Sequence, residues 1–186
     1  MKLSKATIIT IGSMVGILVI GAITIAILQN QQTKRELSAS PAAGALATGG
    51  TAAPYTDFDG NPAGLDQYVG QVLVVHSWAS WSPFSSAELL LLAEVAQSYA
   101  AEDVVVIAIN RAEAKATAES YLQTIGVADQ VRLIVDNDDR YYKSIGGYTM
   151  PETVFYDQTG SIIAHKRGTL TKDEAVSYIQ QALDLE

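Results

Sequence analysis

Three short runs of aliphatic and β-branched residues, separated by segments with helical spacing, constrain the fold of this chain most strongly. The runs lie at residues 72–77, 104–109 and 131–135, and their nearly continuous apolar character predicts strands covered on both faces. The segments 86–99 and 114–125 between them predict helices, because apolar residues recur there every three to four positions. Strands that alternate with helices form a parallel sheet through right-handed crossovers.

Antiparallel strands are predicted on both sides of this parallel core. Residues 55–58 alternate in polarity and run into the turn 59–61, which indicates an N-terminal β-hairpin. Residues 153–166 contain two further strand patterns around a turn. Thr171 and Glu174 have the spacing of a capping box and predict the start of a last helix. The sequence therefore predicts an α/β fold with a central mixed sheet flanked by helices.

The N-terminal part of the chain has the pattern of a membrane anchor. After a short tail at 1–5, residues 6–28 contain 23 residues without a charge. A helix of that length spans roughly 34 Å, enough for the ~30 Å hydrocarbon core of a bilayer. A cleaved signal peptide has a shorter apolar region, so a transmembrane anchor is favoured over a signal peptide or a buried helix. The nearly balanced flanking basic residues indicate a cytoplasmic N-terminus.

The two segments after this span differ in composition. Residues 29–53 are polar and then rich in Ala, Gly, Ser and Thr, which predicts a flexible linker. Residues 54–186 form the predicted domain and carry 8 Lys and Arg against 19 Asp and Glu, a net charge of −11. Such acidity argues against binding of nucleic acid.

The stretch Trp78-Ala79-Ser80-Trp81-Ser82-Pro83-Phe84-Ser85 joins a predicted strand to a predicted helix. It resembles the W-A-x-W-C-x-x-C entry to the first main helix of thioredoxin-like proteins, with serine at both cysteine positions. Three further motifs are similar to the membrane-anchored TlpA/ResA-like branch, which includes cytochrome c maturation reductases. They are Phe58-Asp59-Gly60 with Gly70-Gln71-Val72, Ile109 to Glu113, and Met150-Pro151 with the hairpin that follows.

The resemblance covers residues 54–186 and has several implications. It implies a thioredoxin-like fold behind a single N-terminal transmembrane helix, in the cell membrane, with the domain outside the cytoplasm. It also implies a cis-proline loop at Met150-Pro151, and it places the acidic side chain of Glu113 facing the redox site. The activity that it implies is thiol-disulfide oxidoreduction.

The residues at the site contradict that activity. The chain contains no cysteine, and a serine hydroxyl forms no disulfide, so Ser82 and Ser85 cannot exchange thiols. Ser82 is instead predicted to cap the helix that follows, since serine is among the preferred N-cap residues. No cofactor and no metal are predicted, because the only histidines, His76 and His165, have no companion at ligand spacing.

A hydrolytic function is a weaker alternative. His76 as base, Ser82 or Ser85 as nucleophile and Glu113 as orienting group would form an improvised catalytic triad. Nothing nearby resembles a nucleophile elbow, and a lone histidine in a strand is more often a packed residue. The sequence therefore favours a domain that is not an enzyme.

Protein binding is the function that the sequence favours. Trp81, Pro83, Phe84, Met150 and Pro151 are expected to cluster beside the degenerate site, as a peptide-binding patch or as packed residues. In the first case the domain binds an extracytoplasmic protein or peptide, in a chaperone-like or assembly role. The alternatives are a structural spacer or subunit of an envelope complex, and an oxidoreductase by family similarity only.

Overall fold

The structure is a computed structural model that describes residue 46 and the ranges 54–127 and 131–185. All described residues belong to one compact unit, which extends from Ala42 to Glu186. Among the described helices, none is both long and apolar enough to cross a membrane.

The predicted N-terminal segments lie almost entirely outside the described residues. This holds for the tail at 1–5, for the transmembrane anchor at 6–28, and for the linker at 29–53 apart from Leu46. The anchor and its orientation therefore remain predictions from the sequence.

Within the described ranges the chain forms seven strands, four α-helices and one short 3-10 helix. In chain order these are β1 (Tyr55–Asp57), β2 (Pro62–Ala63), the 3-10 helix (Asp66–Tyr68), β3 (Val72–Trp78), α1 (Ser85–Ser98), β4 (Val104–Arg111), α2 (Lys115–Ile125), β5 (Arg132–Asp136), α3 (Arg140–Ser144), β6 (Glu152–Tyr156), β7 (Ile162–Arg167) and α4 (Lys172–Leu183).

The strands form one mixed sheet in the order β2-β1-β5-β4-β3-β6-β7. The three predicted buried runs are β3, β4 and β5, which pair in parallel, as their continuous apolar character indicates. The predicted hairpins add antiparallel strands on both sides, β1 beside β5 and β6 beside β3. The predicted α/β class, the mixed sheet and the N-terminal β-hairpin are confirmed.

Alternation along the central strands directs side chains to two separate cores. Val74 and Trp78 of β3 belong to the first core, which includes apolar residues of α1, α2 and α4. Leu73 and Val75 belong to the second core, to which α3 contributes Tyr141. All seven residues of β3 are buried, since the strand has a neighbour on each edge and a core on each face.

The predicted cap of the last helix is present. The Glu174 N–H donates to Thr171 Oγ1 at 3.3 Å, and the Thr171 N–H donates to a Glu174 carboxylate oxygen at 2.9 Å. These two bonds form a capping box at the start of α4, which satisfies N–H groups that have no partner within the helix. Helix α2 ends at Gly126, whose φ of 73° is the left-handed conformation expected at a helix C-terminus.

Leu46, inside the predicted flexible linker, is held by the domain. Its N–H donates to the Gly160 carbonyl oxygen at 2.9 Å, and its half-buried side chain packs against the second core. Gly160 lies in the turn between β6 and β7, at the end of the sheet where β3 begins. At this position the chain is fixed to the domain rather than free.

We expect Leu46→Ala to lower the free energy of unfolding by about 1 kcal/mol, because it removes a partly buried aliphatic side chain. Leu185→Ala is the matched control, since Leu185 is 56% exposed, and it is expected to change stability by less than about 0.5 kcal/mol. Urea denaturation of both variants measures the difference. Equal stabilities would show that Leu46 contributes nothing to the folded domain.

Candidate functional site

The loop between β3 and α1 carries the residues that resemble a redox motif. Helix α1 begins at Ser85, with Phe84 at the N-cap position and no side chain accepting a capping hydrogen bond. The predicted capping role of Ser82 is therefore wrong. The helix starts three residues later, and the Ser82 carbonyl accepts from the Ser85 N–H at 3.3 Å in a turn that precedes it.

The two serines that replace the family's cysteines have different environments. Ser85 is fully buried, and its hydroxyl donates to the Ala79 carbonyl oxygen at 2.8 Å. Ser82 is also buried, but its hydroxyl has no hydrogen-bond partner among the described residues. Ser85 therefore closes the loop before the helix, whereas Ser82 is held by its backbone.

Glu113 contacts the loop but neither of these serines. One carboxylate oxygen accepts from the Ser80 N–H at 2.7 Å and from Asn110 Nδ2 at 2.8 Å, and the other accepts from the Ser80 hydroxyl. Between Arg111 at the end of β4 and Glu113, Ala112 has a left-handed backbone with φ of 47°. The predicted acidic residue thus supports the loop through Ser80.

His76 is not placed for catalysis. It is fully buried on β3, and its Nδ1 lies 2.9 Å from Thr153 Oγ1. Burial lowers the pKa of His76 to about 3, so the ring is neutral near pH 7. The hydroxyls of Ser82 and Ser85 and the carboxylate of Glu113 are not among its hydrogen-bond partners. The improvised triad is therefore not assembled in this structure.

Glu88 is a buried carboxyl group that the sequence analysis missed. It lies on α1, accepts from the Leu170 N–H at 2.9 Å, and approaches His76 Nδ1 at 3.7 Å. Burial raises its pKa to about 7, against the opposing effects of that hydrogen bond and of Lys166. A separation of 3.7 Å from a neutral imidazole is not an ion pair. The sequence offered one signal for this buried group, namely a glutamate on the core-facing side of the predicted helix 86–99.

Trp81, Phe84 and Tyr148 are exposed and are called the aromatic rim below. Their exposed fractions are 64%, 48% and 77%, which are unusual values for large aromatic side chains. Pro83 is exposed between the first two, and Met150 is half-buried against the second core. Trp81 and Phe84 are therefore exposed rather than packed inside the domain, and their part in a binding patch stays a prediction. Tyr148 was not predicted.

Pro151 does not belong to the exposed surface. Its side chain is buried, and its carbonyl oxygen accepts from the Gly168 N–H at 3.0 Å, directly before β6 begins. The expectation that its side chain forms part of an exposed patch is therefore wrong. The Met150-Pro151 peptide bond is cis, as the resemblance implied.

Sheet pairing brings the two loops of the site to the same end of the domain. Glu152, the first residue of β6, is opposite Ser77 near the end of β3. The loop that follows β3 and the loop that precedes β6 are therefore attached side by side, at the same end of two neighbouring strands. Within the described residues, the N–H and C=O of Met150 have no hydrogen-bond partner. Free backbone groups and exposed aromatic side chains thus occur together.

This arrangement defines the class of protein. Three parallel strands, a helix that opens directly after β3, and a cis-proline before an antiparallel hairpin form a thioredoxin-like fold. The structure of a thiol:disulfide interchange protein DsbE from Chlorobium tepidum is similar, with a TM-score of 0.66 and 20% identity over 75% of this chain and 97% of that one. StoA from Bacillus subtilis has a TM-score of 0.59 and 16% identity, over 71% and 98% of the two chains.

The sequence defines the family. A family model described as Redoxin matches residues 42–183, so the chain belongs to the redoxin family. A thiol-disulfide oxidoreductase ResA from Geobacillus thermodenitrificans is 24% identical over 73% of this chain and 78% of its own length. A thiol:disulfide interchange protein DsbE from Allochromatium vinosum is 36% identical over 55% of this chain and 54% of its own length. The resemblance to the ResA-like branch, with serine at both cysteine positions, is confirmed.

Substitution of the two serines is expected to have unequal effects. Ser85→Ala removes a buried hydroxyl that donates to the Ala79 carbonyl at 2.8 Å and accepts from the Ala79 N–H at 3.4 Å, and we expect it to lower the free energy of unfolding by about 1–2 kcal/mol. Ser82→Ala removes a hydroxyl without a partner and is expected to change stability by less than about 0.5 kcal/mol. Chemical denaturation measures both values, and a larger loss in Ser82→Ala would contradict this assignment.

Glu88 is expected to make stability depend on pH. Because its pKa is raised from 4.5 to about 7, the folded protein keeps a proton that the unfolded chain releases between these values. This contribution is complete below about pH 4.5 and is lost as the pH rises through about 7. We expect Glu88→Gln to gain on the order of 2 kcal/mol relative to wild type across this interval.

Denaturation of both proteins at a series of pH values measures this gain. The buried His76 contributes the opposite slope in both proteins, because its lowered pKa costs stability as the pH falls from 6.5 towards about 3. Glu94→Gln removes an exposed carboxylate from the same helix and controls for the loss of one charge. Parallel pH profiles for wild type and Glu88→Gln would rule out the raised pKa.

Proposed function

We propose that this domain binds extended segments of other proteins at the aromatic rim, in a chaperone-like or assembly role. Residues 6–28 anchor it in the cell membrane, with the domain outside the cytoplasm. The uncharged length of that segment and the similarity to ResA and DsbE support this location.

The observation that carries the proposal is the exposure of three aromatic side chains on two neighbouring loops, one of which also contains the unpaired backbone of Met150. Trp81, Phe84 and Tyr148 offer apolar area that folding leaves in water. Met150 offers an N–H and a C=O that an extended segment could pair with, as in strand addition. Large aromatic residues are enriched at protein interfaces, where they contribute much of the binding energy.

The named activities of the relatives do not carry over to these residues. Disulfide exchange needs a thiolate to attack and a thiol to leave, and the chain has serine at both positions and no cysteine elsewhere. What the chain shares with those relatives is the scaffold that presents a loop, a helix N-terminus and a cis-proline to a polypeptide. The proposal assigns to this chain only the binding part of that arrangement.

The acidic surface indicates which segments bind best. Residues 54–186 carry a net charge of −11, which attracts basic polypeptides and repels acidic ones. A suitable probe is pancreatic trypsin inhibitor that has been reduced and carboxamidomethylated. It is a basic, unfolded polypeptide without tryptophan, so the fluorescence of this protein can be followed directly.

Binding at the rim is expected to change the emission of Trp81. The chain has two tryptophans, of which Trp78 is fully buried and Trp81 is 64% exposed. Addition of the probe is expected to shift the emission to shorter wavelength and to protect it from acrylamide. Phe84→Ser is expected to weaken this binding about tenfold, because it removes an aromatic contact.

Leu90→Ser is the matched control for Phe84→Ser. Leu90 lies on α1, for which Phe84 is the N-cap residue, and it has the same exposed fraction, 48%. A general loss of surface apolarity would affect both variants equally, whereas binding at the rim affects Phe84→Ser alone. If the probe leaves the Trp81 emission of the wild type unchanged, the rim is not a binding surface, and a structural spacer becomes the better account of the domain.

A further inference from the structure

We infer that Tyr142 and Arg111 are positioning residues for the proposed binding site, and that they fix the loop before Pro151 so that Met150 presents its backbone to the bound segment. This inference rests on the proposed function. It concerns a part of the molecule outside the redox-like motif, namely the end of β4 and helix α3.

The first attachment of the loop is through Tyr142. Its hydroxyl donates to the Thr149 carbonyl oxygen at 2.5 Å. Burial, and next the charge of Glu152, raise the pKa of Tyr142, so that the hydroxyl keeps its proton and remains a donor. Because Thr149 directly precedes Met150, this bond fixes one side of the backbone that is proposed to bind.

Arg111 holds Tyr142 in place. The guanidinium carbon lies 3.2 Å from the centre of the Tyr142 ring, which is a close cation–π contact. The guanidinium also donates two hydrogen bonds to the Asp139 carboxylate, at 2.8 Å and 2.6 Å. Arg111 therefore links the end of β4 to the start of α3, and it packs against the ring of Tyr142, whose hydroxyl holds the loop.

Gly147 shows how closely the loop approaches the same ring. A Cβ atom at this position would lie 2.5 Å from the Tyr142 ring, a distance that would force the ring or the loop to move. The loop before Met150 can therefore reach Tyr142 only with glycine at this point. This contact is a second, independent sign that the ring and the loop are fitted to each other.

The second attachment of the loop is through Glu152. One of its carboxylate oxygens accepts from the backbone N–H groups of Tyr148 and Thr149, both at 2.9 Å. The other lies 2.6 Å from His165 Nε2. Burial pushes the pKa of Glu152 upwards, but the hydrogen bonds from His165 and from the two backbone N–H groups outweigh it, and the net pKa is lowered.

With the two attachments made, Met150 is the one residue of 148–151 whose backbone has no hydrogen bond at all among the described residues. The N–H groups of Tyr148 and Thr149 bind Glu152, the C=O of Thr149 binds Tyr142, and the C=O of Pro151 binds Gly168. The N–H and C=O of Met150 have no partner among the described residues. A loop that is already fixed loses less conformational entropy on binding, which increases affinity. Recognition through one residue's backbone also tolerates many sequences.

Tyr142→Phe tests this inference, with Tyr141→Phe as the matched control. Both changes remove one hydroxyl from neighbouring residues of α3, but the Tyr141 hydroxyl bonds to Tyr156 in the core, at 3.1 Å, and not to the loop. We expect Tyr142→Phe to weaken binding of the reduced, carboxamidomethylated trypsin inhibitor about five- to tenfold in the Trp81 fluorescence titration. Tyr141→Phe is expected to bind as wild type does.

Hydrogen exchange gives a readout that does not depend on affinity. In the free protein, the amides of Tyr148, Thr149 and Met150 are expected to exchange faster in Tyr142→Phe than in wild type, and at the wild-type rate in Tyr141→Phe. In the wild type, binding of the probe is expected to slow exchange at Met150. Arg111→Lys keeps the charge but loses the planar guanidinium, and it is expected to give an intermediate loss of affinity.

The outcomes separate this inference from the proposed function. If the wild type does not bind the probe, the proposed function fails. If the wild type binds and Tyr142→Phe binds equally well, with unchanged exchange in the loop, Tyr142 has no positioning role and the rim alone accounts for binding. If Tyr142→Phe is too unstable to test, Arg111→Lys decides, because wild-type affinity in that variant would overturn the inference.

Discussion

The pairing of β3 with β4 on one side and β6 on the other is the constraint on which the rest of this structure depends. All seven residues of β3 are buried, and the strand contributes to both cores. A shift of one residue along either neighbour would exchange the side chains that the strand contributes to the two cores, and neither core would then pack as it does. The register is therefore fixed, and it places the loop after Trp78 next to the loop that enters β6 at Glu152.

The degenerate site shows which parts of a thiol redox centre also serve the fold. Ser85 donates to the Ala79 carbonyl and thereby closes the loop before α1, a role for which a hydroxyl suffices. Glu88 and His76 lie in the interior, where burial raises the pKa of Glu88 to about 7 and lowers the pKa of His76 to about 3, so that His76 is neutral near pH 7 and Glu88 is only partly ionised. The scaffold thus persists without sulfur because its contacts are packing and hydrogen bonds.

The sequence predicted regular structure better than it predicted the site. The strands β3, β4 and β5 were predicted within two residues, because continuous apolar runs and helical spacing are local signals. The start of α1 was predicted within one residue, but its cap was wrongly assigned to Ser82, since several hydroxyl residues near a helix start compete for the capping position. The contacts of Tyr142 depend on the conformation of the loop before β6 and on Arg111, which is distant in the sequence, so no local pattern could predict them.

The left-handed backbone of Ala112 separates the residues that support the two loops of the site. Because the chain turns there, the residues on either side serve opposite loops: Glu113 holds Ser80 after β3, and Arg111 supports Tyr142 beneath the loop before β6. The tripeptide Arg111-Ala112-Glu113 at the end of β4 thus supports both loops. Because both loops depend on these three residues, a change in the backbone conformation of Ala112 would affect the two sides of the site together.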